Sequence, residues 1–112
     1  MHELSIAQSL VESIRAEAAA HPGARVTRVG LRVGDLSGVQ IDALQFSFDV
    51  IVQGTDLEQA RLDIERVALR QHCERCAQDF PVVDYTLLCP TCGAPTRAVA
   101  GSELQMTYLE LE

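Results

Sequence analysis

Two Cys-x-x-Cys pairs, Cys73-Glu74-Arg75-Cys76 and Cys89-Pro90-Thr91-Cys92, constrain this 112-residue chain more than any other feature. Each pair lets two thiolates approach one ion, and two such knuckles complete a tetrahedron with Zn–S bonds of about 2.3 Å. In a reducing compartment, four cysteines in two close pairs point to a metal rather than to disulfides. Because Cys73, Cys76, Cys89 and Cys92 would saturate the ion, no position remains for water or substrate, so zinc there is expected to be structural. Gly93, directly after Cys92, suits the tight turn such a knuckle needs. A chain this short buries only about two-thirds of its unfolded surface. With three Phe, two Tyr and no Trp to fill a core, it gains from such a staple.

The remaining composition narrows the function classes. With 47% apolar and 22% charged residues the chain reads as one globular unit, neither disordered nor fibrous. A net charge of −7 repels phosphate backbones. Between residues 71 and 98 the basic residues are Arg75 and Arg97, against Glu74, Asp79 and Asp84, with Phe80 and Tyr85 as the aromatics, a poor nucleic-acid platform. No window approaches the roughly 18 apolar residues of a membrane span. Residues 1 to 20 hold Glu3, Glu12, Arg15 and Glu17, unlike a signal peptide, so a soluble cytoplasmic protein is expected. Nucleophile–base pairs are absent. His21 sits in a helix-ending turn and His72 beside a knuckle, both read as surface histidines, and no enzyme is expected.

Hydrophobic periodicity organises the rest. From Leu4 to Ala20, Ala7, Leu10, Val11, Ile14 and Ala18 recur on one side of an amphipathic helix that His21-Pro22-Gly23 ends. Thr27, Val29, Leu31 and Val33 alternate with Arg28, Gly30 and Arg32 as a half-buried strand. After the turn at Asp35-Leu36-Ser37-Gly38, Ser37 and Gln40 match a capping box for a second helix whose buried stripe is Ile41, Leu44, Phe48 and Ile51. Gly54-Thr55 marks its exit, and Leu62 and Ile64 alternate with Asp63 and Glu65 as a second strand. Val67 and Leu69 reverse that parity, which predicts a bulge or departure from the sheet. Leu104, Met106 and Tyr108 read as a closing strand after Gly101, and a hairpin is expected around Asp79 to Leu88. The resulting expectation is an α+β fold: two helices packed on a small antiparallel sheet, with an inserted zinc-ribbon-like module. The main domain would comprise residues 1–70 and 99–112, and the cysteine module residues 71–98. Exposed strand edges leave monomer, dimer or strand exchange open.

Met1-His2-Glu3 opens the sequence with almost no leader before the first helix. A free α-amine, the amide nitrogen of residue two and the His2 imidazole can close fused five- and six-membered chelate rings around one ion, with Glu3 offering a carboxylate or backbone nitrogen nearby. Nitrogen-rich tetragonal sets suit Ni(II) or Cu(II). Binding there must release protons and weaken on acidification.

Taken together, these features resemble the HypA/HybF family of hydrogenase maturation factors. The resemblance rests on Met1-His2-Glu3-Leu4-Ser5, Val33-Gly34-Asp35-Leu36-Ser37-Gly38-Val39, Leu44-Gln45-Phe46-Ser47-Phe48-Asp49, Gly54-Thr55, Leu62-Asp63-Ile64-Glu65, the paired knuckles and Gly101-Ser102-Glu103-Leu104. It implies a nickel metallochaperone for nickel-iron hydrogenase, with urease maturation as a further role of some members. Implied ligands are Met1, His2 and Glu3 for nickel, His2 being the principal one, and Cys73, Cys76, Cys89 and Cys92 for zinc. Implied partners are a HypB-type GTPase and the hydrogenase large subunit. Of the histidines that flank the knuckles in this family, His72 alone is present here.

Overall fold

A computed structural model describes residues 2–82 and 86–112. The chain runs α1 (His2–Ala18), β1 (Val26–Gly34), α2 (Ile41–Val52), β2 (Arg61–Val67), β3 (Arg70–Cys73), β4 (Gln78–Pro81), β5 (Arg97–Ala100) and β6 (Leu104–Leu111). Two three-stranded sheets form, ordered β2-β1-β6 and β4-β3-β5. The first helix starts at His2 rather than Leu4, so Glu3 lies in its first turn, where a carboxylate is favoured by the helix dipole.

The core lies between the helices and the first sheet. Ala7, Leu10 and Ile14 of α1 meet Leu44, Phe48 and Val52 of α2 over Val26, Val29, Leu31 and Val33 of β1. Leu62, Ile64, Met106, Leu109 and Leu111 close its edges. Ile41 and Ile51, expected in the α2 stripe, are partly buried against this cluster, and Val52 is more deeply buried than either.

The first sheet is antiparallel on one side only. β6 runs antiparallel to β1, but β2 runs parallel to it, with Val29 beside Leu62 and Leu31 beside Ile64. The reason is connectivity: α2 carries the chain back along the sheet, so β1-α2-β2 is a crossover unit, which joins parallel neighbours. The second sheet is antiparallel throughout.

The expected capping box is not formed. Gln40 takes the N-cap position of α2 without a side-chain cap, and the Ser37 hydroxyl accepts from the Val39 N–H at 3.2 Å instead. The Gln40 N–H donates to the Glu3 carboxylate at 3.1 Å, so the polar closure comes from α1.

At Val67 the chain leaves the first sheet, as the parity reversal predicts, and Leu69 is buried at the crossing. Backbones pack tightly there: the Leu36 N–H donates to the Gly101 carbonyl at 2.6 Å and the Gly34 N–H to the Glu103 carbonyl at 2.7 Å. A Cβ on Gly34 would fall 2.1 Å from the Gly101 oxygen, and Gly101 itself adopts φ +113°, so only glycine fits either position. The hairpin in this region is β3–β4, with the first knuckle in its turn. Of the expected Asp79–Leu88 hairpin, Val83, Asp84 and Tyr85 lie outside the described residues, and Leu88 forms a bridge to Pro95.

Candidate metal centres

The knuckles converge. Cys73 and Cys76 flank the turn after β3, while Cys89 and Cys92 sit in a second turn closed by the Leu88–Pro95 bridge. The four Sγ atoms lie within 4.8 Å of one another. The Cys73–Cys92 separation is 3.7 Å and the Cys76–Cys89 separation 3.9 Å. A tetrahedron with metal–sulfur bonds of about 2.3 Å has edges of about 3.8 Å. A disulfide needs about 2.05 Å, so the spacing fits an ion at the centre and not a bridge.

Backbone dipoles prepare the sulfurs for a cation. The Cys76 N–H donates to Cys73 Sγ and the Thr91 N–H to Cys89 Sγ, each at 3.4 Å. The N–H groups of Cys92 and Thr91 lower the Cys89 thiol to about 6. Cys76 is pushed the other way, to about 12, first by Cys92 and then by burial. Four sulfurs this close cannot all carry charge without a counterion, which a bound metal supplies.

Near this centre His72, Glu74, Asp79 and Arg97 are paired. His72, on β3, is half-buried, with Nδ1 2.5 Å from Asp79 Oδ1 and Nε2 3.8 Å from Glu74. The Arg97 Nε donates to Glu74 at 2.7 Å, which holds that carboxylate below its ordinary range. The Arg97–Glu74 pair spans 23 residues and carries no signal in the sequence.

At the other candidate centre, Met1 lies outside the described residues. His2 opens α1 with its side chain 62% exposed, and its Nδ1 is 3.9 Å from Glu3 Oε2, beyond hydrogen-bond distance. Glu3 is 8% exposed. Its carboxylate is held below the ordinary range, first by the hydrogen bond from the Gln40 N–H and then by its own N–H. The Glu3–Gln40 link spans 37 residues, and the Ser37–Gln40 spacing had suggested a local cap instead.

The remaining candidates fall away from both centres. His21 is exposed in the turn after α1. Arg28 and Arg32 lie on the sheet face away from the helices, beside Glu110 at 4.0 Å and Glu65 at 3.3 Å. Among the described residues no helix is long and apolar enough to cross a membrane.

Comparison with known proteins gives one answer. The family described as "Hydrogenase/urease nickel incorporation, metallochaperone, hypA" matches residues 1–111. A hydrogenase maturation factor HypA from Roseiflexus sp. (strain RS-1) is 55% identical, covering 100% of this chain and 93% of the relative. Its counterpart from Geobacter metallireducens is 49% identical, with both chains covered fully. In structure, a HypA protein in solution matches with TM-score 0.73 at 23% identity over 100% of this chain and 97% of that one. The nickel metallochaperone HypA from Helicobacter pylori matches with TM-score 0.67 at 20% identity, over 97% and 96% of the two chains; these two likenesses speak to the fold. The relatives are maturation factors and not enzymes, and this chain belongs to the HypA family of hydrogenase and urease nickel-incorporation metallochaperones.

Proposed function

We propose that this protein binds Ni(II) at Met1, His2 and Glu3 and hands it to nickel-iron hydrogenase during maturation, while zinc held by Cys73, Cys76, Cys89 and Cys92 is structural. The observation that carries the first half is the exposed His2 imidazole on the first turn of α1. The first four N–H groups of a helix have no intrahelical acceptor. Amide nitrogens of residues two and three therefore serve as donors without costing α1 a hydrogen bond. A terminal site open to solvent lets a client's ligands approach the ion and withdraw it. A thiolate set is the softer alternative for nickel, but four cysteines at tetrahedral spacing suit zinc and leave it no open position.

The partners that fit this role are a HypB-type GTPase and the hydrogenase large subunit, with urease the alternative client, in the cytoplasm. Residues 71–98 form the zinc domain in this reading, and residues 1–70 with 99–112 the nickel domain.

The test is calorimetric titration of nickel into tag-free, zinc-loaded protein, His2→Ala, and a form with one residue added ahead of Met1. Stoichiometric binding lost in both altered forms, with zinc content intact, supports the assignment. Equal nickel binding by all three places the site elsewhere and refutes it.

A further inference from the structure

Glu3 is an unusual first-turn carboxylate. It is nearly buried, and the atom that accepts the Gln40 N–H, Oε2, belongs to a different helix from the donor. Gln40 precedes α2, which lacks a side-chain cap of its own among the contacts of its N-cap residue. The positive end of α2 therefore receives its anion from α1, where helix N-termini favour one. The same Oε2 lies 3.9 Å from His2 Nδ1, beyond hydrogen-bond distance, so the carboxylate spends its hydrogen bond on the loop entering α2 and not on the imidazole.

We propose that the Glu3 carboxylate is the N-terminal cap of α2 and acts as a positioning residue for the nickel-binding end of α1, not as a nickel donor through its side chain. The inference rests on the terminal nickel reading above and deepens it. A first turn of a helix ordinarily frays. Tied to Gln40, it keeps the residue-two and residue-three amides and the His2 imidazole on one side of the helix start, which lowers the ordering cost of binding. Glu3 then contributes to the ion only through its backbone nitrogen. The negative charge of the carboxylate also offsets the repulsion between a dication and the positive end of α1. Occupation of the terminus by nickel and the geometry of the loop entering α2 become linked through a single hydrogen bond.

Three variants separate the cap from the donor. Glu3→Gln keeps an oxygen that accepts from the Gln40 N–H but loses the carboxylate; Glu3→Ala loses both. Gln40→Pro removes the N–H donor and leaves Glu3 untouched, and the residue-40 φ of −83° is close to what proline adopts. Nickel sulfate is titrated into each zinc-loaded full-length protein, and the residue-40 and neighbouring amide resonances are followed in nickel-free protein.

The expected pattern is a loss of no more than about fivefold for Glu3→Gln, the size of a helix-dipole charge effect. Glu3→Ala and Gln40→Pro are expected to lose roughly 10- to 100-fold, as when an outer support of a metal ligand is removed. In nickel-free Glu3→Ala the Gln40 amide shifts upfield and exchanges faster. Glu3→Gln losing nickel as fully as Glu3→Ala, or Gln40→Pro binding like the parent, would make the carboxylate a donor and overturn the proposal. An unmoved Gln40 amide in Glu3→Ala also overturns it. Failure of the nickel reading shows separately, as unchanged binding in His2→Ala.

Discussion

The ring of Tyr108 occupies the space that a side chain at Gly30 would need: a Cβ built on Gly30 falls 2.1 Å from both Cδ2 and Cε2 of the ring. The β6 register slips between the Gly30–Tyr108 and Leu31–Met106 pairs, so Thr107 also crowds this point, with its Oγ1 2.7 Å from the same built Cβ. The Tyr108 hydroxyl continues across β1 to donate to Asp63 on β2 at 2.5 Å, tying all three strands of the sheet. Gly30→Ala is expected to cost about 1–3 kcal/mol, the range for inserting a methyl into packed surroundings. Tyr108→Ala should absorb part of that loss, so the double variant will be less destabilised than the two single losses added. Denaturant unfolding of the four proteins checks it, and strict additivity would mean the ring is not what excludes a Cβ.

Two phenylalanines two residues apart on α2 should respond oppositely. Phe48 is fully buried among Leu44, Ile14 and Val29, while Phe46 is 70% exposed. Phe48→Ala should destabilise by about 3–5 kcal/mol. Phe46→Ala should stay within about 0.5 kcal/mol. Thermal melts distinguish them directly.

This contrast also marks what the sequence makes legible. Helical periodicity places Leu44 and Phe48 inside because the period is local, and the four cysteines declare their site because ligand spacing is local too. Glu3 is different. Its role depends on an N–H 37 residues away, and Ser37 three residues before Gln40 offers a plausible short-range cap that the folded chain does not use. Strand direction is likewise non-local: alternation in β2 gives its buried face, but the parallel pairing with β1 follows from where α2 delivers it. Tyr108 reads as one more inward residue of an alternating run, and the bulge at Thr107 turns it to the outer face over Gly30.

The residues that follow the second cysteine of each knuckle occupy equivalent turns with different chemistry. Gly93 has φ +75° and Ala77 has φ +53°. A left-handed residue with a Cβ costs about 1–2 kcal/mol, partly offset because alanine restricts the unfolded chain more than glycine does. Ala77→Gly should therefore stabilise the metal-loaded protein by about 0.5–1 kcal/mol, and Gly93→Ala should destabilise it by a similar amount. Opposite shifts of melting temperature are the expected result; matching shifts would place the strain outside these turns.

Acid should act through Glu3. Its folded pKa lies below the ordinary carboxylate value, chiefly because the ionised form accepts the Gln40 N–H. A depressed folded pKa gives stability that is fully present above the unfolded value and is lost as pH falls through the folded one. Glu3→Gln has no such proton to take up. The stability difference between parent and Glu3→Gln is expected to favour the parent near pH 6 and to shrink progressively as pH falls through the depressed folded pKa, below which both carry a neutral acceptor. Melting curves across that range test the sign, and a difference that grows on acidification would contradict it.

Metal removal should split the molecule's response. The buried apolar cluster draws its members from α1, β1, α2 and the segment leading into β2, and the residues packed against it come from the same helices, from Val39 before α2, and from β2 and β6. Among the described residues the β4-β3-β5 sheet has no comparable cluster: between positions 69 and 100 those buried are Leu69, Gln71, Cys73 and Cys89, and the Gln71 Oε1 finds no hydrogen-bond partner. An ion held by the four sulfurs would then be the main support of that sheet, since its binding free energy is folding free energy for such a site. Chelation, or Cys73→Ser, is expected to collapse amide protection across residues 70–100 and lower metal stoichiometry. The helices and the β2-β1-β6 sheet should keep their protection. Amide exchange measured before and after chelation reads this segment by segment, and uniform loss of protection would show that the two sheets fold as one unit.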